Sequence, residues 1–357
     1  MKILYGVQGT GNGHIARARA MAEAFKNRDG IQVDFVFSGR EKEKYFSMEA
    51  FNGYRAFSGL TFNSNSGKVD YLKTATNNNL VELLQDINTL DVKSYDLVLN
   101  DFEPISAWAA KRHKVPCIGI SHQNAFRYQV PKKGYGLMDK TIIHHFAPSD
   151  FQLGLHWYHF DQPILPPIVH SGGAHNGVES RSAGGDFILV YLPFEDLKQV
   201  AELLQRLSDY TFCCYHPDIK EVYDLDNVQF RPLSFTNFQQ DLVRCQGVIA
   251  NGGFELPSEA LSLGKKLLLK PLSGQFEQQS NVATLEYLGL GSAMFVLEPS
   301  IIRKWLEEEK PDPIHYPDVA GAISDWVLEG NWDQQAQLSE HLWKQVSFPS
   351  HITHLLD

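Results

Sequence analysis

Gly247-Val248-Ile249-Ala250-Asn251-Gly252-Gly253-Phe254-Glu255-Leu256-Pro257-Ser258-Glu259-Ala260-Leu261-Ser262-Leu263-Gly264 is the stretch that decides the fold. A short apolar run ends in two glycines and gives way to an amphipathic helical pattern. A strand that turns at the carboxyl edge of a sheet into a crossover helix reads this way. Toward the C-terminus, Lys266 to Lys270 reads as the next strand. Toward the N-terminus, Phe187 to Leu192, Phe212 to Tyr215 and Val228 to Arg231 read as strands, with Leu197 to Leu207 as a helix among them. The first half repeats the alternation, with Ile3 to Val7, Ile31 to Ser38, Tyr95 to Leu99 and Cys117 to Ser121 as strands and Ile15 to Phe25 and Ile105 to Lys111 as helices. That alternation predicts parallel sheets wrapped by helices.

A chain of 357 residues is longer than one hydrophobic core usually supports, so two domains are expected. Between Gln162 and Asp186 the sequence becomes Pro-rich and then rich in Gly, Ser, His and Asn, a composition that buries little surface. The expected organisation is α/β, with two Rossmann-like domains facing across a cleft: 1–165, a linker at 166–186, and 187–357. A last helix, Trp332 to Val346, is able to pack on either half.

Composition narrows the function. Lys plus Arg total 32 against 42 Asp plus Glu, a net charge of −10, and no basic run is long enough to track a phosphate backbone, so no nucleic-acid partner is expected. No apolar segment reaches the roughly 18 residues needed to span a bilayer, and the opening apolar run is too short for a signal-peptide core; a cytoplasmic protein is expected. Cys117, Cys213, Cys214 and Cys245 show neither metal-ligand spacing nor a disulfide framework.

Two segments carry candidate chemistry. After the first strand comes Gly9-Thr10-Gly11-Asn12-Gly13-His14, at the sheet edge where open parallel sheets bind ligands. A dinucleotide fingerprint would need Gly where His14 stands, and Asp34 lies inside the second strand rather than at its end, which argues against a dehydrogenase. A histidine at a helix N-terminus is pushed toward the neutral form and suits a general base; its structural alternative is a capping or packed residue. Asp101, at the end of the Tyr95 to Asp101 run, either orients His14 or caps the next helix. His122 and Gln123, at the end of another strand, are candidates for an acceptor cleft or structural polar groups.

The stretch quoted first continues into Pro271-Leu272-Ser273-Gly274-Gln275-Phe276-Glu277-Gln278-Gln279-Ser280-Asn281. Together with the Gly-His loop, it resembles the GT-B glycosyltransferase superfamily that includes MurG-like enzymes and UDP-glucuronosyltransferases, over essentially the whole chain. The resemblance implies that Gly252 and Gly253 approach a pyrophosphate, with Asn251 beside them, and that Glu259 binds ribose hydroxyls. It implies further that Glu277, Gln278 and Asn281 read the sugar, and that the loop with Leu233 and Phe235 holds the base. His14 corresponds to the base that takes the acceptor proton and Asp101 to its carboxylate partner. Glu255 and Leu256 depart from the pattern, because relatives place hydroxyl residues there. Either Glu255 points away from the phosphates or backbone alone holds them.

The retaining relatives' two glutamates eight positions apart are missing, since Leu263 and Leu267 stand eight residues beyond Glu255 and Glu259. The expectation is an inverting glycosyltransferase that needs no metal or other cofactor. Its donor is a nucleotide-sugar, UDP-sugar favoured, and its acceptor a glycan, lipid-linked or small molecule, with peripheral membrane contact compatible. The rivals are a nucleotide-sugar 2-epimerase and a non-catalytic nucleotide-sugar-binding protein.

Overall fold

A computed structural model describes residues 1–26, 28–60, 64–65, 68–69, 79–169, 185–350 and 352. The linker read from sequence falls largely, from 170 to 184, outside the described residues. The strands before it are β1 (Lys2–Gln8), β2 (Gln32–Ser38), β3 (Arg55–Phe57), the short antiparallel pair β4 (Ser64–Asn65) and β5 (Lys68–Val69), β6 (Leu97–Asp101), β7 (Cys117–Ser121) and β8 (Phe151–Gly154). After it come β9 (Ile188–Tyr191), β10 (Phe212–Tyr215), β11 (Tyr223–Leu225), β12 (Val228–Arg231), β13 (Gly247–Asn251), β14 (Lys266–Lys270) and β15 (Ser292–Ala293).

The strands form two main sheets rather than one. The first runs β3-β2-β1-β6-β7-β8 and is parallel throughout. The second runs β11-β12-β10-β9-β13-β14-β15, parallel except for the antiparallel edge strand β11. Leaving out β11, each sheet orders its strands third, second, first, fourth, fifth, sixth, the doubly wound order of a Rossmann-like domain. The strand order reverses between β1 and β6 in one sheet and between β9 and β13 in the other. Continuous apolar runs suit strands covered on both faces: Ile3, Leu4, Tyr5 and Val7 of β1, like Val248 and Ile249 of β13, have no exposed surface.

The helix Asn12–Lys26 lies at the junction of the two halves. Its alanines favour helix and its Ile15, Ala18, Met21 and Phe25 are buried, as are Arg17 and Arg19. It packs on the helices Glu255–Ser262 and Val319–Glu329 of the C-terminal half. A helix packed against a strand of its own sheet and two helices of the other half has no reason for a clean apolar stripe, which explains its mixed pattern. The last described long helix, Gln335–Trp343, is shorter than the sequence pattern suggested. It bonds back to the first half, where the Ile164 carbonyl accepts from Ser339 Oγ at 2.7 Å and from Trp343 Nε1 at 2.6 Å.

Candidate active site

In the first sheet, Val7 of β1 pairs with Asp101 of β6, so the glycine loop after β1 and the Asp101 carboxylate emerge side by side where the strand order reverses. Asp101 does not cap the following helix. Glu103 does, accepting the amides of Ile105 at 2.8 Å and Ser106 at 2.7 Å. Between the two acids Phe102 sits in the left-handed region at φ 52°, a strained turn of the kind that gathers at functional sites. The turn leaves Asp101 directed at His14, whose Nδ1 lies 2.7 Å from Asp101 Oδ1. His14 occupies the first turn of its helix with its side chain 14% exposed, and Asp101 is fully buried.

Arg17, three positions along the same helix, completes the cluster. Its guanidinium holds Asp101 with two bonds of 2.8 Å, Nε to Oδ2 and Nη2 to Oδ1, while Nη2 stands 3.1 Å from His14 Nδ1. Its remaining nitrogen, Nη1, donates to the carboxylate of Glu255 in the other half of the molecule. Burial alone would raise the Asp101 carboxyl, but the Arg17 and His14 partners hold it below the ordinary carboxylate range. The Glu255 carboxylate turns to Arg17, and its stem lies so close to the loop that a Cβ on Gly13 would approach Glu255 Cγ to 3.0 Å. Sequence reasoning missed Arg17. The i, i+3 spacing from His14 was the signal available for it, and such spacing places two side chains on one helix face.

The second sheet brings β13 to the matching point. Asn251 ends the strand, its Nδ2 bonded to the Lys270 carbonyl at 3.0 Å. Gly252 and Gly253 make the turn into the helix Glu255–Ser262. They differ sharply. A Cβ on Gly252 would come within 2.9 Å of the Gln278 carbonyl oxygen and of Val282, whereas one on Gly253 would meet nothing within 4 Å. Glu259, further along the helix, accepts from Gln239 Nε2 at 3.0 Å, and burial pushes its carboxyl up to about 7. Phe235 begins the helix Phe235–Arg244 and lies under the Arg19 guanidinium, 4.3 Å from ring centre to Cζ. Leu233, just before it, packs partly buried against the core.

Of the other residues singled out from sequence, Asn12, His122, Gln123, Glu277 and Asn281 join the two halves. Asn12 donates to the Tyr191 hydroxyl at 3.1 Å and accepts from Arg40 at 3.2 Å. The Gly9 amide is bound to the Ser38 carbonyl, and Gly11 flanks the His14 ring. Gln123 Nε2 reaches both Glu277 oxygens at 3.1 Å. His122, expected as an acceptor-cleft or structural residue, is buried in this contact. Its Nε2 is 2.6 Å from Asn281 Oδ1, its Nδ1 2.8 Å from the Leu155 carbonyl, and its ring stacks on Phe254 with centroids 4.0 Å apart. Burial lowers its basicity. Gln278 is likewise occupied, its Oε1 accepting the Leu272 amide at 2.8 Å, and Asn281 Nδ2 donates to the Gly252 carbonyl at 3.0 Å. A cavity of about 590 Å³ lies elsewhere, between the turn at His159 to Pro163 and the helix Gln335–Trp343.

The comparisons agree with this architecture. The model of glycosyl transferase family 1 matches residues 1–308. A search of curated proteins finds no match. Among solved structures, the glycosyltransferase SnogD from Streptomyces nogalater is similar at TM-score 0.54 and 17% identity, covering 96% of this chain and 99% of its own. The spinosyn rhamnosyltransferase SpnG, complexed with spinosyn aglycone, is similar at 0.54 and 11%, covering 100% of both. A UDP-GlcNAc 2-epimerase from Neisseria meningitidis, bound to UDP-GlcNAc, follows at 0.51 and 13%, covering 92% of this chain and 99% of its own. At these identities the structures speak for the fold, and the family model speaks for the chemistry. With its paired Rossmann-like sheets and a family match over most of its length, the chain belongs to glycosyl transferase family 1 and is a glycosyltransferase.

Proposed function

We propose that the protein moves a sugar from a nucleotide-sugar, with UDP-sugar the favoured donor, to an acceptor hydroxyl, with inversion and without a metal ion. The observation that carries this reading is the 2.7 Å contact between His14 and Asp101 where the first sheet reverses its strand order. With Asp101 ionised, it accepts the Nδ1 proton and leaves the Nε2 lone pair for the acceptor. In a single displacement the acceptor oxygen bonds to the anomeric carbon while His14 takes its proton. The bond from that carbon to the diphosphate breaks with its electron pair on the leaving group. The backbone amides at the start of the Glu255–Ser262 helix are the proposed donors to the departing charge, the Gly253 amide being bonded to the Asn251 carbonyl at 2.8 Å.

The open space at Gly253 supports a phosphate approach, since the protein itself does not need that residue to lack a side chain. Glu259 is the proposed ribose partner, and the Leu233 and Phe235 segment the proposed base platform. Glu277, Gln278 and Asn281 are the proposed sugar contacts. Because Gln278 and Asn281 are bonded within the protein, reading the sugar with their side chains requires those bonds to be exchanged. The UDP-GlcNAc complex of the structurally similar epimerase makes uridine nucleotides the first probes to use.

A thermal-shift panel of UDP- and dTDP-sugars, followed by turnover with an acceptor library, tests the proposal, because a ligand that binds only the folded form raises the melting temperature. Stabilisation by a nucleotide-sugar and acceptor-dependent release of nucleoside diphosphate are expected. Conversion of UDP-GlcNAc to its 2-epimer without any acceptor would replace this reading with epimerisation. Binding with no turnover against every acceptor and no epimer would favour a sensor.

A further inference from the structure

We propose that Glu255, reaching from the donor-side domain through Arg17, sets the proton affinity of His14, so that the strength of the base depends on contact between the two domains. The inference rests on the assignment of His14 as the base and adds to it a charge supplied by the opposite half of the molecule. Arg17 and Glu255 are positioning residues here: neither is argued to touch the substrate.

The case is one of charge balance in a dry place. Asp101 is fully buried, Arg17 2% exposed and Glu255 7%. Arg17 has two carboxylate partners, Asp101 at two bonds of 2.8 Å and Glu255 through the third nitrogen. While His14 is neutral the cluster of four carries one net negative charge; after His14 takes a proton it carries none. Without Glu255 the same proton would take the cluster from neutral to positive. Net charge in a buried site is costly, so Glu255 favours the protonated imidazole and Arg17 opposes it. Arg17 acts at short range, because its Nη2 shares Asp101 Oδ1 with His14 and stands 3.1 Å from the ring nitrogen.

Other titratable groups stand around this cluster. Tyr5 of β1, which couples to both Asp101 and Arg17, is pushed well above the ordinary tyrosine range by burial and stays neutral. Glu277, on the helix Phe276–Tyr287, also faces Arg17 but is held by Gln123. His122, which feels both Glu277 and Arg17, is made less basic by burial. Because Arg17 also acts on Tyr5 and His122, the His122 resonance is followed beside that of His14, and the opposite signs of the His14 shifts report Glu255 and Arg17.

The full-length protein, labelled with carbon-13 at histidine Cε1, provides the test, with the His14 resonance assigned by its loss in His14→Gln. Titration with pH is expected to move the His14 midpoint down by about half a unit or more in Glu255→Gln, and up by a similar amount in Arg17→Gln. Arg17→Lys is expected near the wild-type midpoint. A packing role predicts no movement, or movement of both variants in one direction, and either result overturns the proposal. Should Arg17→Gln fail to fold by far-UV circular dichroism, the double variant Arg17→Gln/Glu255→Gln takes its place. It restores the wild-type net charge, so its midpoint is expected above that of Glu255→Gln, and an equal midpoint overturns the coupling. Turnover by His14→Gln separates the two layers. Full turnover with opposite midpoint shifts removes the base assignment and leaves the coupling; lost turnover with unmoved midpoints removes the coupling and leaves the base.

Discussion

The two sheets share one strand order, and each presents a turn where that order reverses, yet the turns are finished differently. In the first sheet the point between β1 and β6 is filled by charge: His14, Asp101 and Arg17, with Glu255 from the other side. In the second, the point between β9 and β13 carries a glycine turn beside a buried Lys270–Glu195 pair, with Gly252 packed tightly beneath and Gly253 facing open space. The fold supplies the place and the residues supply the chemistry. A proton-handling cluster needs fixed partners, whereas a phosphate site needs exposed amides and no side chain in the way.

If the first turn is held by charge, removing one member is expensive. Asp101→Asn leaves the buried Arg17 without its bidentate partner and is expected to lower stability by about 3–5 kcal/mol, read by urea unfolding. A loss under about 1 kcal/mol would mean that Glu255 alone satisfies Arg17. His14→Ala, by contrast, removes a partly exposed ring and is expected to fold. Turnover should fall about 100-fold or more with nucleotide affinity unchanged, because the proposed base contributes to chemistry and the proposed donor contacts lie on the other domain. Equal losses in binding and turnover would erase the division of labour between the two turns.

On the donor side the expected effects are smaller and fall on binding. Glu259→Ala should weaken UDP binding by about 1.5–3 kcal/mol in calorimetry if the carboxylate holds ribose hydroxyls. Unchanged affinity in a folded variant would move the ribose elsewhere. The two glycines sharpen the contrast within one turn. Gly252→Ala is expected to cost about 1–3 kcal/mol of stability, since its Cβ would meet backbone. Gly253→Ala should stay within about 0.5 kcal/mol in stability while weakening UDP binding. Matching stability losses in both variants would show that the open space at Gly253 is not reserved for a ligand.

The last effect concerns pH. Glu259 has a carboxyl pushed up to about 7 from 4.5, so between those values the folded chain keeps a proton that the unfolded chain has released. Stability is therefore lost as pH rises through this window, and the loss is complete above it. Glu259→Gln carries no such penalty. Its melting temperature relative to the wild type should climb from about pH 5 to about pH 8 and then level off. A difference that stays flat across the window would mean that Glu259 ionises as an exposed glutamate does.

Sequence by itself determined the alternation of strand and helix, the two glycine turns and the candidates His14 and Asp101, because these rest on local patterns: apolar runs, helix-start residues and short spacings. It left open whether Asp101 oriented His14 or capped the next helix, since both outcomes use a carboxylate after a strand. Only the tertiary structure decided that Glu103 caps, because the choice turns on the left-handed backbone at Phe102. It also decided that Glu255 turns to Arg17, 238 positions away in sequence, and that His122 and Asn281 meet across the two halves. Such pairings depend on how one domain sits against the other, and that placement is the sum of many contacts, with no periodicity of its own in the chain.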